Sequence, residues 1–161
     1  MNGHHDPNPT LPVDPDSAPP SPLHARASAI AAVGVGGLVG APLRYQLGLW
    51  CSSAASGWPV TTFAINIVGA FLLGMLLEGL ARLGPDTGWR QRVRLLVGTG
   101  MLGSFTTYST LAVDTDLFLR SHQWWAAGSY AAGTVLVGLV ATTAGIAIAA
   151  RLRTRPAEAT Q

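Results

Sequence analysis

The chain contains no lysine, a single cysteine and few charged residues of any kind. Only 11% of its 161 residues are charged, far below the roughly 25% of an ordinary soluble domain. The lone cysteine, Cys51, excludes an intrachain disulfide. The ten arginines lie at the ends of apolar stretches without interleaved aromatic residues, which argues against nucleic-acid binding. No nucleophile–base pair and no cluster of His, Cys or carboxylate ligands points to an enzyme.

The chain is rich in apolar residues, and 48% of its residues are hydrophobic. A helix needs about 20 mostly apolar residues to cross a bilayer. Four windows meet this requirement, at 27–49, 61–81, 93–118 and 124–150. The sequence therefore predicts an all-α membrane protein in which residues 26–152 form one domain of four transmembrane helices.

The two ends of the chain differ from this domain. Residues 1–25 hold seven of the eleven prolines and no arginine or lysine. Because such polar, proline-rich sequence cannot bury enough apolar surface to fold, we expect a disordered cytoplasmic tail. It has no basic segment of the kind that opens a secretory signal. Residues 153–161 are expected to form a short basic C-terminal tail.

The arginines are distributed unevenly between the two ends of the predicted spans. Eight lie on the side that carries both termini, and two, Arg44 and Arg120, lie on the other. Basic residues near span ends favour the cytoplasm, so both termini are predicted to be cytoplasmic and the protein to reside in the plasma membrane. All five tryptophans lie at predicted span ends, where indole rings favour the interface.

Small residues recur inside the spans. Gly36 and Gly40 form a GxxxG pattern on the first span, and further glycines punctuate the second and fourth. Such spacing lets helices approach closely. Packing within one bundle and contact between two subunits explain the pattern equally well.

Two polar residues stand out in the first two spans. Arg44 ends the first span and either extends to the interface or forms an anion-attracting mouth, with Asp114 or Asp116 as its partner. Asn66 has no other strongly polar residue within a turn of it. Its amide either bonds to a neighbouring helix or donates to an anion.

The third span carries the strongest polar signal, Gly-Ser-Phe-Thr-Thr-Tyr-Ser-Thr-Leu at 103–111. Polar or irregular backbone at membrane depth persists only inside protein or beside water. Preceding glycines weaken the helix here, and a break would free carbonyl oxygens of the kind that hard cations bind. The alternative is that the hydroxyl groups bond to preceding carbonyls and only bend the helix.

These residues resemble the Fluc (CrcB) family of fluoride channels, small four-span proteins that assemble as antiparallel dimers. Three blocks carry the resemblance: Gly-Gly-Leu-Val-Gly-Ala-Pro-Leu-Arg-Tyr at 36–45, Thr-Phe-Ala-Ile-Asn-Ile-Val-Gly-Ala-Phe-Leu-Leu-Gly at 62–74, and Gly-Thr-Gly-Met-Leu-Gly-Ser-Phe-Thr-Thr-Tyr-Ser-Thr-Leu at 98–111. Their order and spacing are specific, and the likeness extends over roughly residues 28–150.

The resemblance implies a passive pathway for F⁻ through a third helix that is broken at mid-membrane. The pathway residues it implies are Asn66, Tyr108, Ser109, Thr110, Leu111, Tyr130 and Thr134, with Arg44 and Asp114 at a vestibule. It also implies a structural Na⁺ at the centre of the dimer, bound by the carbonyls of Gly103 and Thr106. The implied partners are membrane lipid, fluoride and an antiparallel second subunit, either a second copy of this chain or a paralogue of opposite orientation.

The third span departs from the family pattern at two positions. The family usually reads Thr-Thr-Phe-Ser-Thr-Phe, and this chain has Tyr108 and Leu111 in place of the phenylalanines. The edge of an aromatic ring is the positive part of its quadrupole and faces a small anion favourably. Tyr108 keeps such an edge, whereas Leu111 keeps only the volume.

Two other functions stay open at this point. The chain could be a non-conducting or half-pore subunit of a heterodimeric fluoride channel, as Leu111 and the arginine distribution suggest. It could also be a small proton-coupled multidrug exporter, but that chemistry needs a carboxylate inside the membrane. The first span has none, and Glu78 lies at the end of the second.

The arginine distribution yields a testable expectation about the partner. Eight arginines against two predict a fixed orientation, whereas an antiparallel homodimer requires one sequence to insert both ways. We therefore expect a heterodimer with a paralogue of opposite bias, which supplies the missing aromatic contact. Crosslinking of the chain expressed alone should give no stable antiparallel dimer. A homodimer that conducts fluoride would contradict this expectation.

Overall fold

The structure, a computed structural model, describes residues 26–51 and 57–152. These residues are helical and include no β-strand, which confirms the all-α class that the apolar windows predict. The predicted tails, 1–25 and 153–161, lie outside the described residues.

The described chain forms three long helices and a series of shorter ones. In chain order these are α1 (Ala27–Trp50), α2 (Val60–Ala81), α3 (Gly88–Val93), the π-helical segment π1 (Arg94–Leu102), the one-turn α4 (Gly103–Phe105), α5 (Tyr108–Arg120) and α6 (Trp124–Leu152). The long helices α1, α2 and α6 are each long and apolar enough to cross a membrane. The third predicted window, 93–118, is covered by π1, α4 and α5 in succession and not by one continuous helix.

The segments π1, α4 and α5 pack against the long helices, and α3 packs against π1. The α2 helix packs along α6, α1 packs along π1 and α4, and α5 packs against α6. A small core joins α5 to α6 through Leu111, Phe118, Ala127 and Tyr130. Large apolar side chains on the outer faces of α1 and α6 remain exposed, as expected for surfaces that meet lipid.

Glycines allow α1 to approach π1 and α4 at backbone distance. A β-carbon on Gly36 would lie 2.0 Å from the carbonyl oxygen of Leu96, and one on Gly40 would lie 2.0 Å from that of Met101. No side chain fits at either position. The GxxxG pattern therefore serves packing inside one chain, which decides between the two explanations left open by the sequence.

A tight turn joins α5 to α6. Backbone hydrogen bonds from His122 N to Leu119 O and from Gln123 N to Phe118 O close the end of α5. His122 takes a positive φ of 58°, so the turn has the bonding pattern of a Schellman motif. It returns the chain against α5 and sets Tyr130 behind that helix.

The close approach of α1 makes Gly40→Ala a test of the packing. The added methyl group would overlap Met101 O and the Ser104 hydroxyl, 2.3 Å away, so we expect a loss of about 1–3 kcal/mol in the free energy of unfolding. Thermal unfolding in detergent measures it. Gly37→Ala is the matched control, because nothing lies within 4 Å of a β-carbon there. Equal melting temperatures for the two variants would contradict the packing.

Candidate functional site

The helix that would follow π1 is interrupted at two threonines. The α4 turn ends at Phe105 and α5 begins at Tyr108. Between them, Thr106 has φ −75° and ψ 158°, and Thr107 has φ −145° and ψ 122°. Both residues are thus extended, so the hydroxyl-rich sequence does more than bend a helix.

The side chain of Asn66 on α2 occupies this interruption. The backbone N–H of Thr107 donates to Asn66 Oδ1 at 2.8 Å, and Asn66 Nδ2 donates to the Thr107 carbonyl at 3.0 Å. The amide side chain therefore satisfies both main-chain groups of one extended residue, as a neighbouring β-strand would. One of the two amide hydrogens of Asn66 is used in this way.

The interruption also removes helical donors from two carbonyls. In a continuous helix the N–H of Thr107 would bond to the Gly103 carbonyl and that of Thr110 to the Thr106 carbonyl. Here the Thr107 N–H bonds to Asn66, and the Thr110 N–H bonds to the hydroxyl of Thr107 at 3.1 Å. The carbonyls of Gly103 and Thr106 are left without these donors.

Three hydroxyl groups form a short network at the start of α5. The Thr107 hydroxyl donates to Thr110 Oγ1 at 3.0 Å and lies 3.1 Å from Ser109 Oγ. Since Thr110 Oγ1 is an acceptor in this network, its own hydrogen remains for another partner. The Thr107 side chain also caps α5 by accepting from Thr110 N, the usual role of a threonine before a helix.

This network faces an open cleft of about 670 Å³ between α1, α2 and α5. Among the residues predicted for the site, Arg44, Thr110 and Asp114 line the cleft. Asn66 does not line it directly but holds Thr107, which does. The cleft thus combines one cation, one carboxyl group and several uncharged donors.

The predicted partners of Arg44 are wrong. Its Nε donates to the Ser104 carbonyl at 3.2 Å, which ties α1 to the α4 turn. Asp116 instead pairs with Arg120 one turn away on α5 at 2.5 Å, and Asp114 accepts from Tyr130. Among the described residues, Arg44 therefore forms no ion pair with either aspartate.

Tyr130 is fully buried behind the cleft. Its hydroxyl donates to Asp114 Oδ2 at 3.0 Å. Its ring packs edge-on against Trp58 and Phe118, with centroids 5.2 and 6.1 Å away. Tyr130 therefore fixes one carboxylate oxygen of a residue that lines the cleft.

The remaining predicted residues lie apart from the cleft. Tyr108 is 82% exposed and borders, with Leu111, a separate apolar groove between α5 and α6. Leu111 also packs into the core beside Tyr130. Thr134 is buried, and its hydroxyl donates to the Tyr130 carbonyl of its own helix at 2.7 Å.

Sequence reasoning missed one residue at the centre of the site. Thr107 was absent from the predicted set, although it links Asn66 to the hydroxyl network and lines the cleft. A threonine three residues before Thr110 and next to an apolar run is a recognisable helix cap. The contact with Asn66, 41 residues earlier, leaves no such local pattern.

The fold and this site define a class, a small helical membrane protein with uncharged donors beside an interrupted helix. Irregular backbone of this kind in membrane proteins lines cavities and transport routes. Among the described residues there is no group of three or more His, Cys, Asp or Glu side chains that could bind a metal. The groups that the site offers are uncharged donors, backbone carbonyl oxygens, Arg44 and Asp114.

Comparison with known proteins specifies the family. The model described as CrcB-like protein, Camphor Resistance (CrcB), matches residues 31–146. The chain belongs to this family, which confirms the resemblance drawn from the three sequence blocks.

Similar proteins are named as fluoride-specific ion channels and not as enzymes. FluC 2 of Leifsonia xyli subsp. xyli is 45% identical over 134 residues, 83% of this chain and 92% of that protein. FluC 1 of Cutibacterium acnes is 44% identical over 73% of this chain and 86% of its own. FluC of Oceanobacillus iheyensis is 42% identical over 71% and 86%.

The bond between Tyr130 and Asp114 can be tested by Tyr130→Phe. This change keeps the ring packing but removes the donor to Asp114, so we expect the free energy of unfolding to fall by about 1–3 kcal/mol. Chemical or thermal unfolding in detergent measures the change. Tyr108→Phe removes a hydroxyl from an exposed ring and should have no such effect on unfolding. A Tyr130→Phe protein as stable as the parent would refute the bond.

Proposed function

We propose that this chain is a subunit of a fluoride-selective ion channel that lets F⁻ leave the cell passively and so protects against fluoride toxicity. The observation that carries the proposal is the cluster of uncharged donors at the interrupted helix, beside an open cleft. The proposal is supported by the membership in the CrcB family and by the names of similar proteins.

Passive export needs no energy source in the protein. Fluoride enters acidified cells as neutral HF and ionises in the more alkaline cytoplasm, where the anion is trapped. An inside-negative potential drives an anion outward by about 2.3 kcal/mol per 100 mV. The protein has only to offer a route that replaces the hydration shell of a small anion without holding it tightly.

The route we propose starts in the cleft and continues along the polar start of α5. Arg44 attracts the anion into the vestibule, which Asp114 also lines, one turn along α5 from Thr110. The Thr110 hydroxyl and the second amide hydrogen of Asn66 then donate to the ion. Both groups are neutral, so they stabilise fluoride less than a buried arginine would and allow it to leave.

The other predicted pathway residues are explained by the contact that we propose with the second subunit. Tyr108 and Ser109 are exposed on the described chain, and Tyr108 and Leu111 border the groove between α5 and α6. In an assembled channel we propose that this groove meets the partner and that the exposed Ser109 extends the polar track there, while the buried Tyr130 and Thr134 support it from inside the chain.

We further propose a structural Na⁺ at the carbonyls of Gly103 and Thr106, with the interruption at mid-membrane. The fit is supported by the loss of both helical donors, since the Thr107 and Thr110 amides bond elsewhere. When bound, Na⁺ would neutralise the partial negative charge of these oxygens. Hard cations take several oxygen ligands, so two carbonyls from one chain call for an equal set from a second.

The need for carbonyl ligands from two chains supports an antiparallel dimer. We place this dimer in the plasma membrane. A two-fold axis through the cation would bring the same carbonyls from both subunits. The arginine distribution favours cytoplasmic termini for this chain and therefore a paralogue of opposite orientation as its partner.

One observation favours a second candidate, a half-pore subunit of such a heterodimer. Leu111 is buried to 9% exposure against Phe118 and Tyr130 and presents no aromatic edge. In this case the partner would carry the conducting aromatic pair. A proton-coupled exporter is disfavoured, because Glu78 forms an ion pair with Arg82 at the end of α2.

Asn66→Asp tests the pathway. The carboxylate cannot donate to the Thr107 carbonyl and places negative charge beside the anion route, so we expect fluoride efflux from liposomes to fall at least tenfold. A fluoride electrode measures it, with the paralogue co-reconstituted if the chain alone is silent. Thr143→Val is the control, since this exposed hydroxyl bonds only within its own helix. Unchanged efflux in Asn66→Asp would rule out the assignment.

A further inference from the structure

We propose that Asn66 is a positioning residue that keeps the helix interrupted and thereby presents the Gly103 and Thr106 carbonyls to the cation. The inference rests on the sodium site of the proposed function. It adds a coupling, in which the affinity of this site for Na⁺ depends on the side chain of Asn66. The same amide that serves the anion route would then set the affinity for the cation.

The coupling follows from competition for one N–H group. The Thr107 N–H can bond either to the Gly103 carbonyl, as in a helix, or to Asn66 Oδ1, as the structure has it at 2.8 Å. Only the second arrangement leaves the Gly103 oxygen available to another ligand. Loss of the Asn66 acceptor would favour closure of the helix, because an unsatisfied N–H in the membrane is costly.

The second bond of Asn66 holds the carbonyl side of the same residue. Asn66 Nδ2 donates to the Thr107 carbonyl at 3.0 Å and so fixes the extended backbone on both sides of its Cα atom. With Thr107 held, its hydroxyl is placed to accept from Thr110 N. That bond in turn diverts the donor that the Thr106 carbonyl would have in a helix. One side chain therefore controls both candidate ligands.

The packing of α2 supports a positioning role. Gly69 lies one turn after Asn66 on the same face of α2, and a β-carbon there would be 2.2 Å from Thr106 Cγ2. The backbone of α2 at Gly69 therefore lies directly against the side chain of Thr106, at the interruption. Because α2 lies this close, the short side chain of Asn66 reaches the main chain of Thr107 directly.

The test measures cation binding without ion flux. Purified protein, as the channel complex in detergent, is unfolded by heat in increasing NaCl, with N-methyl-D-glucamine chloride keeping ionic strength constant. A cation that binds the folded state raises the melting temperature. We expect Asn66→Leu, which has a similar size and no polar atom, to raise the half-maximal Na⁺ concentration at least tenfold.

Thr142→Val is the matched control. The Thr142 hydroxyl also bonds across helices, from α6 to the Ala70 carbonyl of α2 at 3.3 Å, and its other bond goes to the Gly138 carbonyl of its own helix and not to the interrupted segment. This variant should lose some stability and keep the parental Na⁺ dependence. An Asn66→Leu protein with parental Na⁺ dependence would overturn the coupling while leaving the fluoride function intact.

A second measurement needs no variant, in case Asn66→Leu does not fold. Hydrogen exchange of the wild-type protein should slow at the amides of Thr107 and Thr110 when Na⁺ replaces N-methyl-D-glucamine, and should not change near Thr142. Uniform exchange in the two salts would overturn both the coupling and the sodium site. The proposed channel function would then be judged separately, by fluoride efflux from the same preparation.

Discussion

The pair of hydrogen bonds between Asn66 and the main chain of Thr107 is the interaction on which the site depends. Hydrocarbon offers no partner to a backbone group, so a helix can open inside a membrane only if another part of the protein satisfies the freed groups. A primary amide carries a donor and an acceptor side by side, so it can bond to both the N–H and the carbonyl of one extended residue. Asn66 can therefore replace the missing helical neighbours of Thr107, and the hydroxyl network, the cleft lining and the freed carbonyls all follow from that replacement.

Three glycines allow neighbouring helices to approach the segment that Asn66 contacts. Gly36 and Gly40 bring α1 against π1 and the α4 turn, and Gly69 brings α2 against Thr106. The interrupted segment is thus held from two sides, by backbone contact with α1 and by contact of its side chains with the backbone of α2. Arg44 adds a bond from α1 to the Ser104 carbonyl, just before the interruption. A segment that lacks its own continuous helical bonding is in this way fixed by its neighbours.

The sequence predicts the class of fold well because hydrophobic length and local breakers determine it. The apolar windows indicate the three long helices, and the run at 103–111 indicates where the helix fails. Pairings between helices could not be predicted, since they depend on rotation and depth. One of the two interpretations of Arg44 paired it with an aspartate on the same side of the membrane, yet it reaches the Ser104 carbonyl on α4, and Asp116 pairs with Arg120, four residues away on its own helix. That last pair has a spacing that sequence could have revealed.

The choice of asparagine at position 66 can be understood by counting its polar atoms. Its oxygen and one N–H are used by Thr107, and in the proposed channel the second N–H remains for a passing anion. A serine or threonine has a single hydrogen and could not serve both. An aspartate could accept from Thr107 but would repel fluoride and could donate to nothing. A lysine would bring a charge whose burial is costly and whose attraction would hold the ion. A neutral amide is therefore the side chain that can keep the helix open and still contribute to the route that we propose.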